Sequence, residues 1–520
     1  MMDLSPNRIE TDVIIIGAGP TGLMAACQLA RLGIRSVIID KKSGINHQSR
    51  ALLVTARSRE IYDQMGLSDS ISENVSPVDN ISVYLNKKKA LQLNIGIRRE
   101  AVSEFPCFSV LEQSVNESLL RAHLKNLGND VLWMSELVRI DQQGDFICAE
   151  VVHSGEGAVV TEIRGAYLLG CDGANSTVRK LLGQDFPGGT YPRRFFVADV
   201  FINIEEGENM AIASPASYSF IAFFPMKGKN RYRVLGNIPD ELSDKTFISE
   251  QELFKVIETN APFPLKVSQM SWHSNYLLHH RCATDFQKGR CFLLGDAAHI
   301  HSPAGGQGMN TGLQDAFNLC WKLDLVIRAK ASSRLLATYH SERYPVAQAL
   351  LRSTDRVFNF LMSRKKVAVM CRSYLAPWIS RLFLNNKRIE HRVFNVFSQT
   401  NICYDESPLS INSSGQRLNF KAGSKCPALW IYSGKTRTKI YDLLRVPGFH
   451  LFLVGSQPSA ALKADCADLN INIHIADMSS QWETLGVQET LCLLIRPDHH
   501  VSVIADNERE LALKSYFAAI

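Results

Sequence analysis

No stretch of this chain reaches the ~18 uninterrupted apolar residues of a membrane-spanning helix, so no span is expected. Its twelve cysteines include no Cys-x-x-Cys pair, and no His/Cys cluster has metal-ligand spacing. Neither a disulfide framework nor a zinc site is therefore indicated, and no metal is expected. Several cysteines, Cys27, Cys291 and Cys320 among them, sit inside apolar runs, as reduced thiols of a cytoplasmic protein would. The start from Met1 to Glu10 is short and polar, without an apolar core or cleavage pattern, so no secretory signal is expected. The net charge of +6 is modest and no basic tract accompanies it, which gives no reason to expect nucleic acid. Internal repeats and low-complexity tracts are absent too. What is present is ordinary for a soluble globular protein: 46% apolar and 21% charged residues. A chain of 520 residues is too long for one compact core, so about two domains are expected.

Three glycine- and aspartate-bearing signatures stand far apart. The first, Gly17-Ala18-Gly19-Pro20-Thr21-Gly22, follows the β-branched run Val13–Ile16, which reads as a strand buried on both faces. Gly17 permits a sharp exit and Gly19 a close approach to a pyrophosphate. Gly22 allows tight packing of the next helix, read over Leu23–Leu32. The free N–H groups and dipole at that helix's start favour a diphosphate. Gly33 then stops the helix, and Ser36–Asp40 reads as a second strand whose terminal carboxylate can accept bonds from ribose hydroxyls. That carboxylate disfavours a 2′-phosphate, so FAD or NAD suits the pocket better than NADP.

The second signature, Cys171-Asp172-Gly173, would alone be a plain turn. The third, Gly295-Asp296-Ala297-Ala298-His299, leaves a strand read over Arg290–Leu294. It leads into His301–Gly312, a loop with four glycines, and then an amphipathic helix through Leu325. Such backbone freedom suits a large planar group lying against the loop. The helix would begin near Gly308, aiming the amides around Met309 and Asn310 at the electron-rich edge of a reduced flavin. Asp296 would bind the ribityl chain.

In this order and spacing the three signatures resemble the aromatic-hydroxylase class of FAD-dependent monooxygenases, which includes para-hydroxybenzoate, phenol and aromatic-polyketide hydroxylases. Matching stretches run from about residue 10 to 355. The resemblance implies FAD contacts at Gly17, Gly19, Pro20, Thr21 and Gly22, and at Asp40, where the family usually carries Glu, with Lys41 beside it. It adds Arg50 from Ser49-Arg50-Ala51, Gln113 from Leu111-Glu112-Gln113, a backbone contact to adenine at Leu137, and Asp172 with Ser176 and Arg179 behind it. Asp296, Gly306, Gly308, Met309 and Asn310 complete the set.

The implied fold is α/β: a Rossmann-like FAD-binding domain with an inserted β-sheet substrate domain, a helical linker and a thioredoxin-like C-terminal domain. Residues 1–75, 105–185 and 280–350 are expected to form the FAD domain, and 76–104 with 186–280 the substrate layer. In that layer, Phe195–Val200 and Tyr218–Phe224 read as strands, with turns at Gly188-Gly189 and Lys227-Gly228-Lys229. Residues 351–400 are expected to be helical. Residues 401–520 form the thioredoxin-like part, which has no Cys pair for redox work and is read as packing or homodimer support. The basic amphipathic stretch 367–388, interrupted by Pro377, reads as an apolar stripe packed between domains or subunits rather than a membrane-surface helix.

The chemistry implied is hydroxylation of a small aromatic molecule: NADH or NADPH reduces FAD, and O₂ forms a flavin C4a-hydroperoxide that passes oxygen to an electron-rich ring. Candidates for a base or hydrogen-bonding role are His273, Tyr276, Tyr218, Arg231 and His301; spacing does not choose among them. His299 is assigned to its own turn. Leu52 stands where simple phenol hydroxylases have Asp, which weakens the case for a small-phenol substrate, and the Leu53-Val54-Thr55-Ala56-Arg57 continuation resembles hydroxylases of larger aromatic or polyketide compounds. Two alternatives remain at this level. A flavin-dependent halogenase would carry a Trp-x-Trp-x-Ile-Pro stretch, which is absent; a flavin-binding scaffold without turnover would not.

Overall fold

The protein's structure, a computed structural model, describes residues 7–46, 51–96, 102–154, 159–204, 209–215, 219–245, 247–302, 306–362, 387–506 and 509–520. The run Val13–Ile16 is fully buried within a six-stranded sheet. Ser36–Ile39 and then Val131–Leu132 pair on one side; Tyr167–Gly170, Cys291–Leu293 and the short antiparallel Gln287–Lys288 follow on the other. The inner strands are parallel and apolar on both faces, as a sheet covered by helices requires. Helices Pro20–Arg31 and Gly308–Ile327 pack on it and on each other.

The register places the site. Ile16 pairs with Ile39 on one side and Gly170 on the other, and Gly170 pairs with Leu293. Four strands from distant parts of the chain therefore end level. Gly17, Asp40, Cys171-Asp172 and Leu294-Gly295 leave the sheet side by side at its carboxyl edge, where ligands of such sheets bind.

Beside this unit, Asn7–Glu10, Val159–Gly165, Phe146–His153 and Ser135–Gln143 make a four-stranded sheet. An eight-stranded sheet runs His299–Ile300, Val267–Cys282, Gly188–Ile202, Arg231–Asn237, Phe220–Pro225, Met210–Pro215, Asn80–Leu85, Lys88–Asn94. One face, bearing Phe196, Ala198, Val200, Tyr232 and Val234, is covered by helix Glu250–Asn260. Lys227-Gly228-Lys229 lies between paired strands, as expected. Gly188-Gly189 does not form the expected turn: both begin the long strand opposite Arg281 and His280. A Cβ on Gly188 would stand 1.9 Å from the His280 carbonyl, so close strand approach rather than chain reversal calls for glycine there.

Helix Arg334–Met362 and helix Lys387–Ser398 follow. Most of the basic stretch 367–388, Pro377 included, lies outside the described residues. The chain ends in a five-stranded mixed sheet, ordered Ile411–Ser413, Val501–Ala505, Leu491–Ile495, His450–Val454, Asn472–Ala476, around the fully buried Trp482. Among the described residues, no helix is long and apolar enough to cross a membrane.

Candidate functional site

Glycine marks where the three signatures touch. Gly17 has φ of +100°, and a Cβ there would lie 2.5 Å from the Cys171 carbonyl and 2.8 Å from the Asp172 Cα. A Cβ on Gly22 would fall 1.9 Å from the Gly17 carbonyl, so this glycine serves the turn itself more than the helix-to-sheet packing expected of it. Gly295 and Gly312 both close on Thr21, whose Oγ1 would lie 2.6 and 2.3 Å from their added Cβ atoms. Gly19 differs: nothing stands within 4 Å of its Cβ position. It is the cap of helix Pro20–Arg31, and Pro20 at the first helical position has no N–H to leave unpaired. Open space over a helix N-terminus is what an anionic diphosphate needs.

At the ribose end, Asp40 is buried and already engaged. Its Oδ2 accepts from Ala18 N–H at 2.7 Å and its Oδ1 from Lys42 N–H at 2.9 Å. With one carbon less than Glu, it holds the glycine turn to the second strand and keeps its remaining lone pairs for a ligand. Lys41 points to solvent beside Glu136 at 3.6 Å. Leu137 is buried in the adjoining sheet, two residues past Ser135, whose N–H reaches the Asp40 carbonyl. Gln113 starts helix Gln113–Asn126; its Oε1 accepts from Ala51 N–H and its Nε2 donates to Glu117. Burial raises the Glu117 carboxyl, and its Oε2 is a buried atom with no partner among the described residues. Arg50 lies outside the described residues.

Asp172 turns inward. Its two oxygens accept from Ser176 Oγ and from the Thr177 and Val178 amides, capping helix Thr177–Leu181. Arg179, stacked on Phe186, ties that helix to the Ala297 carbonyl. The second signature thus braces the third.

At the ring end, Gly295–Ala297 forms a tight turn that exposes Asp296. The Gly295 N–H donates to Asp315 Oδ2 at 3.0 Å, and His299 Nε2 donates to the same oxygen at 2.7 Å, so His299 does belong to its turn. Helix Gly308–Ile327 begins as expected, with Thr311 N–H to the Gln307 carbonyl as its first bond. The Gly308, Met309 and Asn310 amides precede that bond. Gly306 has φ of +63° against Leu53, and Met309 packs near Asn116. The Asn310 side chain is taken up within the protein. Nδ2 donates to the Leu53 and Gly306 carbonyls, while Oδ1 accepts from Thr55 N–H and Ser58 Oγ. It is a clamp within the protein. His301 Nδ1 donates to the Ser302 carbonyl at 2.7 Å, and burial pushes its pKa down to about 4. The ring is neutral at physiological pH. Its Nε2 is shut from solvent, has no partner among the described residues, and lies 3.3 Å from where a Gly308 Cβ would be.

The eight-stranded sheet separates the other candidates. Trp272 pairs with Asp199 and Tyr276 with Phe195, while His273 pairs with Ala198 on the helix-covered face. Paired residues share a face, so His273 lies on the face that helix Glu250–Asn260 covers. Tyr276 shares its face with Trp272. Arg231 is bidentate with Glu112 at 2.7 and 3.1 Å, a paired cation that cannot act as a base. Tyr218 lies outside the described residues. Sequence reasoning missed the centre of this face. Arg233, 1% exposed, is bidentate with Asp199 at 2.6 and 2.8 Å, donates to the Ala51 carbonyl, and lies over Trp272. An Asp inside the apolar run Phe195–Val200 was the available signal.

Phosphate-accessible space at Gly19, a carboxylate at a level strand end, a buried Glu117 oxygen without a partner and three leading helix amides together fit FAD. Comparison with known proteins agrees. The family described as FAD binding domain matches residues 10–354, and the aromatic-ring hydroxylase C-terminal family matches residues 420–520. A 6-methylpretetramide 4-monooxygenase of Streptomyces rimosus is 34% identical over 409 residues, 78% of this chain and 72% of that protein. A rifampicin monooxygenase of Streptomyces venezuelae is 33% identical over 502 residues, 96% of this chain and 97% of its own. Among solved structures, the OxyS anhydrotetracycline hydroxylase of Streptomyces rimosus superposes with a TM-score of 0.79 at 26% identity, covering 98% of this chain and 99% of its own. With one family matched across the level strand ends and the other across the C-terminal sheet, this chain belongs to the FAD-dependent aromatic-ring hydroxylases, a family of flavoprotein monooxygenases.

Proposed function

We propose that the chain hydroxylates a polycyclic, polyketide-like aromatic, with NADH or NADPH as reductant and O₂ as oxygen source, in the cytoplasm where the reductant is available. The observation that carries the substrate class is the charge state of the sheet face opposite the FAD segments. Arg231 and Arg233 are both matched by carboxylates, Glu112 and Asp199, and Trp272 and Tyr276 share their face. Matched cations beside aromatic side chains suit a flat, largely uncharged ring system better than a small aromatic acid. The names of the relatives, which include tetracycline-pathway and rifampicin monooxygenases, support the same class.

FAD, when bound, supplies the electron transfer and oxygen activation. The residues do the rest. The first-signature turn and the start of helix Pro20–Arg31 hold the pyrophosphate; Asp40 holds the ribose; Gln113 holds the ribityl or phosphate region, with Arg50 a further FAD contact; Asp296 holds the ribityl chain. The Gly308, Met309 and Asn310 amides stabilise negative charge at the ring edge. The eight-stranded sheet excludes water and orients the substrate. Tyr276 positions a ring hydroxyl, and neutral His301 is able to accept a hydrogen bond from it at Nε2.

The test is an aromatic panel offered to the purified FAD-loaded protein, following NAD(P)H oxidation, O₂ uptake and product mass. Polycyclic phenols should stimulate both rates and yield a product one oxygen heavier. Stimulation only by small aromatic acids would overturn the substrate class. Products that require chloride or bromide would point to halogenation, and slow reduction indifferent to every aromatic would point to a scaffold.

A further inference from the structure

The C-terminal unit is joined to the cofactor segments by a continuous line of buried hydrogen bonds. Tyr404 is anchored in that unit: its N–H bonds the Gly423 carbonyl, and its ring packs on His500 with centroids 4.4 Å apart. Its hydroxyl accepts from Arg343 NH1 at 2.9 Å. Arg343 Nε donates to Asp315 Oδ1 at 2.7 Å, and NH2 donates to the Thr311 carbonyl. Asp315 in turn holds the Gly295 N–H and His299. Arg343 and Asp315 are essentially unexposed, so every donor and acceptor in the line needs its protein partner. A parallel link starts at Gln399, whose Nε2 donates to Thr311 Oγ1 while its Oε1 accepts from Gln314. The Tyr404 line ends on the Gly295–Ala297 turn and on the first turn of helix Gly308–Ile327; the Gln399 link reaches that helix alone.

We propose that Tyr404 and Arg343 are positioning residues for the flavin, so that the C-terminal unit sets the relation between the ribityl-binding turn and the helix start that faces the ring. This rests on the FAD reading above. It gives a unit without a redox Cys pair a part in the chemistry that neither packing nor dimer support describes.

Apoprotein is reconstituted with FAD, reading affinity by flavin fluorescence, the midpoint potential of the bound flavin, and apoprotein melting. Tyr404→Phe, which removes only the acceptor for Arg343, should raise the Kd for FAD about tenfold and shift the midpoint potential. Ile504→Val, in the buried core of the C-terminal sheet but outside the line, should lower the melting temperature and leave both flavin readouts at wild-type values. Were Tyr404→Phe apoprotein not to fold, His500→Phe, at the C-terminal ring that packs Tyr404 in place, carries the same expectation. Wild-type affinity and potential in the line variant, or equal changes in Ile504→Val, would overturn the proposal. Wild-type apoprotein that binds no FAD would instead overturn the reading beneath it.

Discussion

Gly19 and Gly22 stand three positions apart and ask for glycine for different reasons. Gly19 has an ordinary φ of −78° and empty space beside it, so Gly19→Ala should melt as apoprotein like wild type while its FAD affinity falls by at least about tenfold, because the methyl enters the diphosphate's space. Gly22→Ala drives a Cβ into the Gly17 carbonyl and should cost the apoprotein about 1–3 kcal/mol as well as the flavin. Melting curves beside flavin titrations separate the two, and identical behaviour would refute the distinction. His301 offers a pH test. Its folded pKa near 4 lies below the usual 6.5, so between those values the unfolded chain takes a proton the fold refuses. Stability is full above 6.5 and falls as pH drops toward 4, by about 1 kcal/mol between pH 7 and 5.5. His301→Gln should flatten that slope, measured by denaturant unfolding across the range.

Helices and strands here are joined by single polar side chains. Asn310 links the start of helix Gly308–Ile327 to strand Leu53–Thr55 and to the first turn of helix Ala56–Gln64. Asn310→Ala would strand several buried partners at once and should cost about 2–3 kcal/mol in chemical denaturation. Arg233 and Asp199 hold adjacent strands and reach Ala51. A buried pair is dangerous to halve, so Asp199→Asn or Arg233→Met alone should cost about 3–5 kcal/mol. The double variant with Leu at 199 and Met at 233 should cost less than the sum of the singles. Additive losses would mean the two side chains act independently.

Across the molecule, the C-terminal sheet is locked to the FAD segments by buried charge. Arg496 grips Glu342 at 2.6 and 2.9 Å and pairs with Asp498; Lys322 shares Glu342; Lys425 meets Glu60; Arg57 donates to the Asp498 carbonyl. Such contacts tie the units into one unfolding transition rather than two. Acid should act on them together. Burial would raise the Glu342 and Asp315 carboxyls, but neighbouring cations overcome it. Arg496 and Lys322 hold Glu342 well below its usual 4.5, and Arg343 and His299 hold Asp315 near 2. Depressed carboxylates contribute stability above their unfolded values, which is lost as pH falls through that window. Flavin release and loss of helical circular dichroism should therefore coincide between about pH 4.5 and 2. Flavin lost well before the C-terminal sheet unfolds would refute the coupling.

The buried β-branched runs and the glycines that follow them announce their own roles. Val13–Ile16 could only be a buried strand, and Gly17, Gly33 and Gly295 adopt the positive φ that their neighbours' crowding demands. Local periodicity therefore told the strand-turn-helix units and the start of helix Gly308–Ile327 before any coordinates, and the resemblance of the three signatures gave the FAD family. It misread Gly188-Gly189, where the glycine requirement comes from a strand paired some ninety positions away. It could not assign faces either: His273 and Tyr276 are both plausible from composition, and a pairing register puts them on opposite faces of the sheet. The same holds for Asp172 and Asn310, whose polar groups turned out to be claimed by the protein. Arg343 and Tyr404 carry no local signal at all. A hydrogen-bond partner is a fact of three-dimensional proximity, and folding creates it between residues that no window of sequence contains together.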